Sequence, residues 1–265
     1  MAGRLGGKTA LVTGASGGIG AATALRLAAE GAVVVCHGRN EARTVATADA
    51  VRAAGGTAFV VIGGLSGDAE ATAIVDATRT AVGDVDILVN NAGGESSGGG
   101  TSSWFETSPA DWLTTYDSNV GSMIRLIHAF TPAMKAKGWG RLIQLSSGVV
   151  DVSMPIIPDY QGAKAAIRNL CKSLAQALSG TGVTANSVSP GFVLTDGNRP
   201  WIIGMAEKHG VTGWEEIERW AVGKFVPNHS GRLGRPEDIA NAIAFLADPA
   251  SDYVNGTDIL VDGGH

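Results

Sequence analysis

Short apolar runs alternate along the chain with longer stretches in which apolar positions recur every three or four residues. The first apolar runs, KTALVT from residue 8 and AVVVCH from residue 32, have the length and composition of buried strands. Between them lie the glycine-rich turn GASGGIG and an Ala/Leu-rich stretch that ends on Gly31, which is typical of a helix. The pattern therefore predicts a βαβ unit at the start of the chain.

The same alternation continues almost to the end of the chain. We predict further helices over residues 41–54, 68–82, about 109–137, about 159–178 and 236–247. Further strands are predicted over residues 57–62, 86–90, 141–145, 183–188 and 258–261. This order of elements predicts an α/β fold of the Rossmann type, with a doubly wound, seven-stranded parallel sheet flanked by helices on both faces. We expect a single domain over residues 1–265.

Two stretches depart from this alternation. Residues 195–227 include Trp201, Trp214 and Trp220, and a long irregular segment of this kind predicts a lid over a binding site. Its aromatic side chains indicate an apolar or ring-bearing substrate, unless they only pack the lid against the domain. Residues 95–103, ESSGGGTSS, form either a flexible spacer or a loop on the substrate side.

Composition and charge argue against several other classes of protein. No apolar run reaches the ~20 residues that a membrane span needs. The N-terminal residues contain no apolar stretch of signal-peptide length, so we expect a cytoplasmic protein. A formal net charge of −5 without a basic run argues against nucleic acid or an anionic membrane as partner. Cys36 and Cys171 have no Cys-x-x-Cys pattern or His cluster nearby, which predicts buried, reduced thiols and no metal site.

The glycine-rich turn after the first strand is typical of a dinucleotide site. Gly14 permits the tight turn, Gly18 lets the backbone approach a pyrophosphate, and Gly20 permits close packing of helix on strand. The N-terminus of the helix offers free N–H groups and a favourable dipole. A glycine pattern alone is weak evidence, but its place between a strand and a helix predicts a nucleotide site that includes Ser16 and Ile19.

The end of the second strand distinguishes the two nicotinamide cofactors. An acidic residue there would bind the 2′-hydroxyl of the adenine-side ribose and repel a 2′-phosphate, but residues 36–40 contain no acid. Arg39 instead offers a guanidinium fork to a phosphate, with Asn40 beside it. We therefore favour NADP(H) as cofactor, with NAD(H) as the alternative if Arg39 is only a surface residue.

Two further turns follow later strands. Asn90, Ala92 and Gly93 come at the end of the strand over residues 86–90, where open α/β sheets bind their ligands. The strand over residues 183–188 also ends in a sharp turn, which runs to Thr195. We expect both turns at the same edge of the sheet as the glycine-rich turn.

The candidate chemistry lies in residues 140–164. Tyr160 and Lys164 are one helical turn apart on the same face if the helix begins near Pro158. A phenol with a pKa of ~10 is a poor proton donor or acceptor at neutral pH, and a nearby ammonium favours its phenolate. Ser147, at the end of the preceding strand, could hydrogen-bond the same substrate oxygen. The three would transfer a proton to or from a carbonyl or alcohol oxygen, although Tyr160 and Lys164 alone also read as an ordinary exposed pair.

Asn119 lies in a mostly apolar part of the long helix over residues 109–137. A buried asparagine needs hydrogen-bond partners, and one possibility is that it kinks the helix to hold a water molecule. Taken alone, Asn119 reads as a structural residue.

Together these residues resemble the short-chain dehydrogenase/reductase family over essentially the full length of the chain. Their order and spacing strengthen the catalytic interpretation of Tyr160 and Lys164. The shared motifs are T-G-x-x-x-G-x-G from Thr13 to Gly20, N-N-A-G from Asn90 to Gly93, Asn119, Ser147, Tyr160-x-x-x-Lys164, Pro190-Gly191 with Thr195, and the terminal Val-Asp-Gly-Gly.

The resemblance implies a role for each of these residues. Tyr160 would be the general acid/base, Lys164 would bind the nicotinamide ribose and lower the pKa of the tyrosine, and Ser147 would polarise the carbonyl. Asn119 would hold a water molecule in a proton relay. Further cofactor contacts would come from Asn90 at the adenine-side ribose and, around the nicotinamide, from Pro190, Gly191, the backbone of Val193 and the hydroxyl of Thr195. The resemblance also implies a homotetramer, less often a dimer.

The chain departs from the family at some positions. Many members have an acid after the third strand that contacts the adenine, and residues 62–65 contain none, so we expect that contact to be lost. Family members that resemble 3-oxoacyl-carrier-protein reductases have basic docking residues at two positions. The corresponding residues of this chain are Gly138 and Thr181, and neither is basic. We therefore expect an NADP(H)-dependent oxidoreductase that acts on a small-molecule ketone or secondary alcohol. The alternatives are a 3-oxoacyl-carrier-protein reductase and a nicotinamide-sensing regulator without turnover.

Overall fold

The computed structural model describes residues 3–94, 103–152 and 155–265. Within these residues, seven strands form one sheet in the order β3-β2-β1-β4-β5-β6-β7, and all neighbouring strands are parallel. The predicted doubly wound α/β fold is therefore confirmed. The strands are β1 (Thr9–Val12), β2 (Val33–Gly38), β3 (Thr57–Ile62), β4 (Ile87–Asn90), β5 (Gly140–Leu145), β6 (Val183–Pro190) and β7 (Asp258–Val261).

Helices connect the strands and cover both faces of the sheet. They are α1 (Gly18–Ala29), α2 (Glu41–Ala53), α3 (Asp68–Val82), α4 (Pro109–Tyr116), α5 (Ser122–Lys137), α6 (Pro158–Ala177), α7 (Arg199–Glu207), α8 (Trp214–Trp220) and α9 (Pro236–Ala247).

Each face of the sheet has its own hydrophobic core because side chains alternate along a strand. Val12 of β1 and Ile143 of β5 belong to the core shared with α1, α2 and α9. Leu11 and Leu142, one position away, belong to the core shared with α3, α5 and α6. The inner strands β1, β2 and β4 are almost entirely buried on both faces, which is why their sequences are nearly continuous apolar runs.

The direction of winding changes between β1 and β4, which are neighbours in the sheet although β2 and β3 lie between them in the sequence. An open sheet has a crevice outside the carboxyl ends of its strands at such a point. Because all strands are parallel, the turns after β1, β2, β4, β5 and β6 lie at this edge. The sheet thereby brings together turns that are up to 181 residues apart in the sequence, from Gly14 to Thr195.

Several predicted elements differ at their ends, and three differences bear on the site. The helix expected over residues 109–137 consists of α4, a π-helical turn at Asp117–Gly121, and α5. β6 extends two residues beyond the prediction because Ser189 and Pro190 pair with β7. The segment over residues 195–227 contains α7, α8 and a second π-helical turn at Ala221–Phe225.

Several other expectations concern single residues or absences. Cys36 and Cys171 are buried and free, as predicted. Among the described residues, no helix has the length and apolar character to cross a membrane, and no His, Cys, Asp and Glu side chains are grouped as metal ligands. Of the loop expected over residues 95–103, positions 95–102 lie outside the described residues.

Candidate active site

One cleft at the carboxyl edge of the sheet contains most of the residues expected at the nicotinamide end. Its volume is about 340 Å³. It lies between the turns after β1, β4, β5 and β6 and the start of α6. The predicted residues that line it are Ile19, Gly93, Ser147, Tyr160, Lys164, Pro190, Gly191, Val193 and Thr195.

The turn between β1 and α1 fits the pyrophosphate of a dinucleotide. Gly14 and Gly18 both have positive φ, at 68° and 53°, which glycine adopts at little cost. A Cβ on Gly20 would lie 2.2 Å from the carbonyl oxygen of Gly14, so α1 approaches the turn at a distance that only glycine allows. The N-cap of α1 is Gly17, and no side chain in the described part of the chain caps the N–H groups at the start of this helix. These N–H groups and the helix dipole favour a phosphate at this position.

Hydrogen bonds join the turn after β1 to the turn after β4. The hydroxyl of Thr13 accepts from the N–H groups of Asn91 and Ala92 at 3.0 and 2.9 Å, and the Asn91 amide donates to the Thr13 carbonyl at 2.8 Å. Asn91 also lines the cleft. The sequence showed it as part of the N-N-A-G motif, but no role was predicted for it. Asn90 is instead buried, with its amide donating to Gln144 at 2.7 Å. Its contact with the adenine-side ribose remains a prediction.

The end of β2 has no room for a side chain at Gly38. A Cβ at this position would lie 2.3 Å from the hydroxyl oxygen of Thr44 and 3.2 Å from the Cβ of Ser16. An acidic side chain here, which would oppose a 2′-phosphate, is therefore excluded by the packing of α2 as well as by the sequence.

Arg39 and Asn40 follow β2 as predicted, and both are exposed. The side chain of Asn40 accepts a hydrogen bond from the backbone N–H of Arg43 at 3.0 Å and thereby caps α2. This bond gives Asn40 a structural role, and its contact with the cofactor remains a prediction. Arg43 was missed by the sequence reasoning, although a second arginine four residues after Arg39 is a signal visible in the sequence.

A carboxylate lies beside the loop after β3, although the loop itself contains none. A Cβ on Gly64 would be 2.2 Å from Oε2 of Glu70, the third residue of α3. The same oxygen accepts from the backbone N–H of Ser66 at 3.0 Å. As expected from the sequence, the loop after β3 has no acidic residue of its own. Glu70 of α3 nevertheless places a carboxylate next to this loop.

Tyr160 and Lys164 lie on one face of α6, because the helix begins at Pro158 as expected. The Nζ atom of Lys164 is 5.5 Å from the centre of the Tyr160 ring and donates to the carbonyl of Leu145 at 2.9 Å. Lys164 is only 5% exposed, and this burial lowers the pKa of its ammonium from 10.5 to about 8. The ammonium is thus still mostly protonated at neutral pH. Its charge favours the phenolate of Tyr160.

The loop that begins at Ser147 is attached to α6. The side chain of Gln161, next to Tyr160, donates to the carbonyl oxygens of Val149 and Val152. Arg168 binds both carboxylate oxygens of Asp151 at 2.6 and 2.7 Å. These contacts couple the position of the half-buried Ser147 to the helix that presents the tyrosine.

Asn119 occupies the π-helical turn between α4 and α5. Its amide nitrogen donates to the carbonyl oxygens of Thr115 and Gly94 at 2.9 and 3.0 Å. Its Oδ1 is buried and has no hydrogen-bond partner among the described residues. A Cβ on Gly93 would lie 2.5 Å from this oxygen and 3.3 Å from Nζ of Lys164, so both polar atoms border the same space. The sequence left open whether Asn119 is structural or distorts the helix to hold a water molecule. The structure places Asn119 in a π-helical turn with its oxygen directed towards Lys164, and the water remains a prediction.

The turn after β6 closes the other side of the cleft. A Cβ on Gly18 would lie 3.1 Å from Cγ2 of Thr195, so this threonine stands directly over the glycine-rich turn. Asn198 fixes the turn, since its side chain accepts from the N–H of Thr195 and donates to the carbonyl of Val193, both at 2.8 Å. Asn198 and Phe192 also line the cleft, and neither was identified from the sequence.

Aromatic side chains of the segment over residues 195–227 pack largely against each other. Phe225 stacks on Trp220 at 5.9 Å and contacts Trp201 edge-on at 5.3 Å, while Trp201 lies 6.1 Å from Phe192. Trp201 remains 49% exposed. Phe192 and Trp201 therefore link the aromatic cluster to the cleft, and the other rings hold the segment together.

Comparison with known proteins gives consistent matches over almost the whole chain. A family model described as "Enoyl-(Acyl carrier protein) reductase" matches residues 14–265. The short-chain reductase protein NovJ of Streptomyces niveus is 39% identical over 259 residues, which cover 96% of this chain and 92% of that protein.

Two similar proteins have solved structures with a nicotinamide cofactor. The L-sorbose reductase of Gluconobacter frateurii, complexed with NADPH and L-sorbose, has a TM-score of 0.90 and 29% identity, covering 100% of this chain and 98% of that chain. A 7alpha-hydroxysteroid dehydrogenase complexed with NADH and 7-oxo glycochenodeoxycholic acid has a TM-score of 0.84 and 34% identity, covering 98% and 95%. The enzyme of that name from Escherichia coli (strain K12) is 34% identical over 261 residues, with the same coverage.

Proposed function

Because this chain belongs to the short-chain dehydrogenase/reductase family, we propose that it is an NADP(H)-dependent oxidoreductase that interconverts a ketone and a secondary alcohol. The observation that carries the proposal is the convergence of Tyr160, Lys164, Ser147 and Asn119 around the end of the cleft. The nicotinamide, when bound, supplies or accepts the hydride. The side chains around the cleft position the substrate oxygen and move its proton.

Tyr160 donates the proton to the carbonyl oxygen in the direction of reduction and accepts it in the direction of oxidation. The ammonium of Lys164 stabilises the phenolate that remains, and Lys164 also binds the hydroxyl groups of the nicotinamide ribose. Ser147 donates a hydrogen bond to the substrate oxygen, which polarises the carbonyl. The attachment of the Ser147 loop to α6 through Gln161 keeps the serine and the tyrosine at one distance from that oxygen.

Asn119 completes the path by which the tyrosine is reprotonated. Its amide nitrogen is held by two carbonyl oxygens, which leaves the buried Oδ1 to accept a hydrogen bond from a water molecule. A water at this position would lie beside Lys164 as well, since both polar atoms border the space next to Gly93. Protons then pass from solvent through this water and Lys164 to Tyr160.

The preference for NADP(H) follows from charge and space at the end of β2. Gly38 has no room for an acid, and Arg39 supplies a positive charge to a 2′-phosphate. NAD(H) remains the alternative cofactor, because relatives of this chain use either dinucleotide.

The substrate is a ketone or alcohol with an apolar or ring-bearing body. Phe192 and the exposed part of Trp201 offer an aromatic surface next to the catalytic end of the cleft. The segment over residues 195–227 acts as the lid, and contacts among its aromatic side chains hold it together beside the cleft.

The two alternatives have weaker support. For a carrier-protein substrate, the positions expected to be basic are Gly138 and Thr181, and Lys137 beside Gly138 is paired with Asp86 at 3.1 Å. A regulator without turnover has no need of the complete set of proton-transfer residues.

A homotetramer in the cytoplasm is part of the same proposal and rests on the family alone.

The decisive experiment compares Tyr160→Phe with the parent protein. We expect turnover of a responsive ketone to fall by at least about 100-fold, the usual contribution of a positioned acid/base. Binding of NADPH should stay within about threefold, because the ring is retained. Tyr253→Phe is the matched control, since Tyr253 is fully exposed.

The substrate panel should contain cyclic and aromatic ketones, a 3-oxoacyl thioester and a 2-enoyl thioester. Turnover of ring-bearing ketones alone supports the proposal. Reduction of the thioesters in preference to the ketones would favour the carrier-protein alternative. Full activity of Tyr160→Phe would contradict the assigned proton donor.

A further inference from the structure

Arg43 lies against the glycine-rich turn although it belongs to a different βα unit. A Cβ on Gly17 would be 2.5 Å from Nη2 of Arg43, so the guanidinium occupies the space where a side chain at position 17 would begin. Arg43 reaches this position from the first turn of α2, where Asn40 fixes its backbone N–H. Any residue other than glycine at position 17 would displace the guanidinium.

No carboxylate of the described residues neutralises the charge on this guanidinium. Among the described residues, neither Arg39 nor Arg43 forms an ion pair with a carboxylate. The acid closest in sequence is Glu41, an exposed residue at the first position of α2. Two arginines and one glutamate leave a net positive charge between the ends of β1 and β2.

The position of Arg43 determines which part of a dinucleotide it meets. Gly17 precedes the uncapped start of α1, which takes the pyrophosphate, and Ser16 packs against Gly38 at the end of β2. The adenine-side ribose of a dinucleotide lies between the pyrophosphate turn and the end of the second strand. A guanidinium at Gly17 therefore faces the 2′ position of that ribose from the side of α1.

We propose that Arg43 forms one wall of the 2′-phosphate site and that Gly17 leaves the space in which its guanidinium lies. This inference rests on the proposed use of NADP(H). The fork of a guanidinium matches phosphate oxygens in a bidentate manner, and a second arginine increases discrimination against a 2′-hydroxyl. Arg39 precedes the N-cap of α2 and Arg43 lies in the first turn of that helix, so the two would approach the phosphate from different directions.

The first test measures binding without any reaction. For Arg43→Ala, calorimetry should show that NADPH and adenosine 2′,5′-bisphosphate bind about tenfold more weakly, whereas NADH and adenosine 5′-phosphate change less than about twofold. Arg52→Ala is the control, because it removes the same charge from the other end of α2, where Arg52 pairs with Asp49. An equal loss in both variants would show an effect of net charge only and would overturn the inference.

The second test uses the contact with Gly17. Gly17 has an extended backbone that alanine adopts without strain, so Gly17→Ala should leave the melting temperature unchanged and move only the guanidinium. It should weaken NADPH binding about fivefold in the parent and have no further effect when Arg43 is already alanine. Additive losses in the double variant would overturn the proposed contact.

The outcomes also separate this inference from the proposed function. If the parent protein prefers NADPH and Arg43→Ala keeps that preference, only the role of Arg43 is wrong. If the parent binds NADH as tightly as NADPH, the assignment of NADP(H) is wrong as well.

Discussion

Replacing Lys164 with methionine should change stability and activity in opposite directions. The ammonium is 5% exposed, and its pKa falls from 10.5 to about 8 because burial disfavours the charged form. Each pKa unit corresponds to ~1.4 kcal/mol, so keeping this group charged in the folded protein costs about 3 kcal/mol at neutral pH. The hydrogen bond from Lys164 to the Leu145 carbonyl offsets about 1–2 kcal/mol of this desolvation cost.

Lys164→Met should therefore raise the free energy of unfolding by about 1–2 kcal/mol at pH 7, since methionine fills a similar volume without a charge. Turnover should be abolished in the same variant, because methionine lacks the ammonium that favours the phenolate of Tyr160. The folded-state pKa is below the unfolded one, so the cost of the charge is complete below pH 8 and disappears as the pH rises from about 8 to 10.5. The advantage of the variant should disappear over the same range.

The assay is urea unfolding of the cofactor-free protein at a fixed concentration, at pH 7 and pH 9.5. Lys172→Met is the control, because Lys172 is an exposed lysine on the same helix. It should leave both stability and its pH dependence unchanged. If Lys164→Met is less stable than the parent at pH 7, or if the difference between them is independent of pH, Lys164 is not a desolvated cation and the argument from burial fails.

Two further predictions concern the cofactor and the proton path. Arg39→Ala should weaken NADPH binding about tenfold and NADH binding less than twofold, because only NADPH has the 2′-phosphate that contacts the guanidinium. If titrations show equal losses for NADPH and NADH, Arg39 does not contact the phosphate. Asn119→Ala should lower kcat by about tenfold or more with little change in the KM for NADPH, since it removes the acceptor for the relay water but no cofactor ligand. A solvent isotope effect on kcat that is the same in parent and variant would show that Asn119 only shapes the helix.

Much of the fold could be predicted because its signals are local. β3, α3 and α9 have the predicted limits residue for residue. Each is an apolar or amphipathic run bounded by a capping residue, proline or glycine, such as Pro236 at the start of α9 and Gly83 after α3. The spacing of Tyr160 and Lys164 is likewise a local property, because a helix places residues four apart on one face.

Other features of the site depend on residues that are distant in the sequence. Asn119 was recognisable as an unusual polar residue in an apolar helix, but the direction of its Oδ1 depends on Thr115, Gly94 and the π-helical turn that they accompany. Asn198 was not recognisable at all, because its role is to bind the backbone of the turn after β6. The contacts of Asn119 and Asn198 produce no periodic pattern in the sequence from which they could be predicted.

The alternation of elements, the glycine-rich turn and the residues expected to carry the chemistry could be read from the sequence, because each follows from steric and hydrophobic preferences over a few neighbouring positions. How the turns meet became visible only in the folded chain. The packing of α2 against the start of α1 closes Gly38 to any side chain and lays Arg43 on Gly17. The burial of α6 against β5 gives Lys164 its lowered pKa. Both depend on close contact between separate elements, whose geometry is set by the whole core.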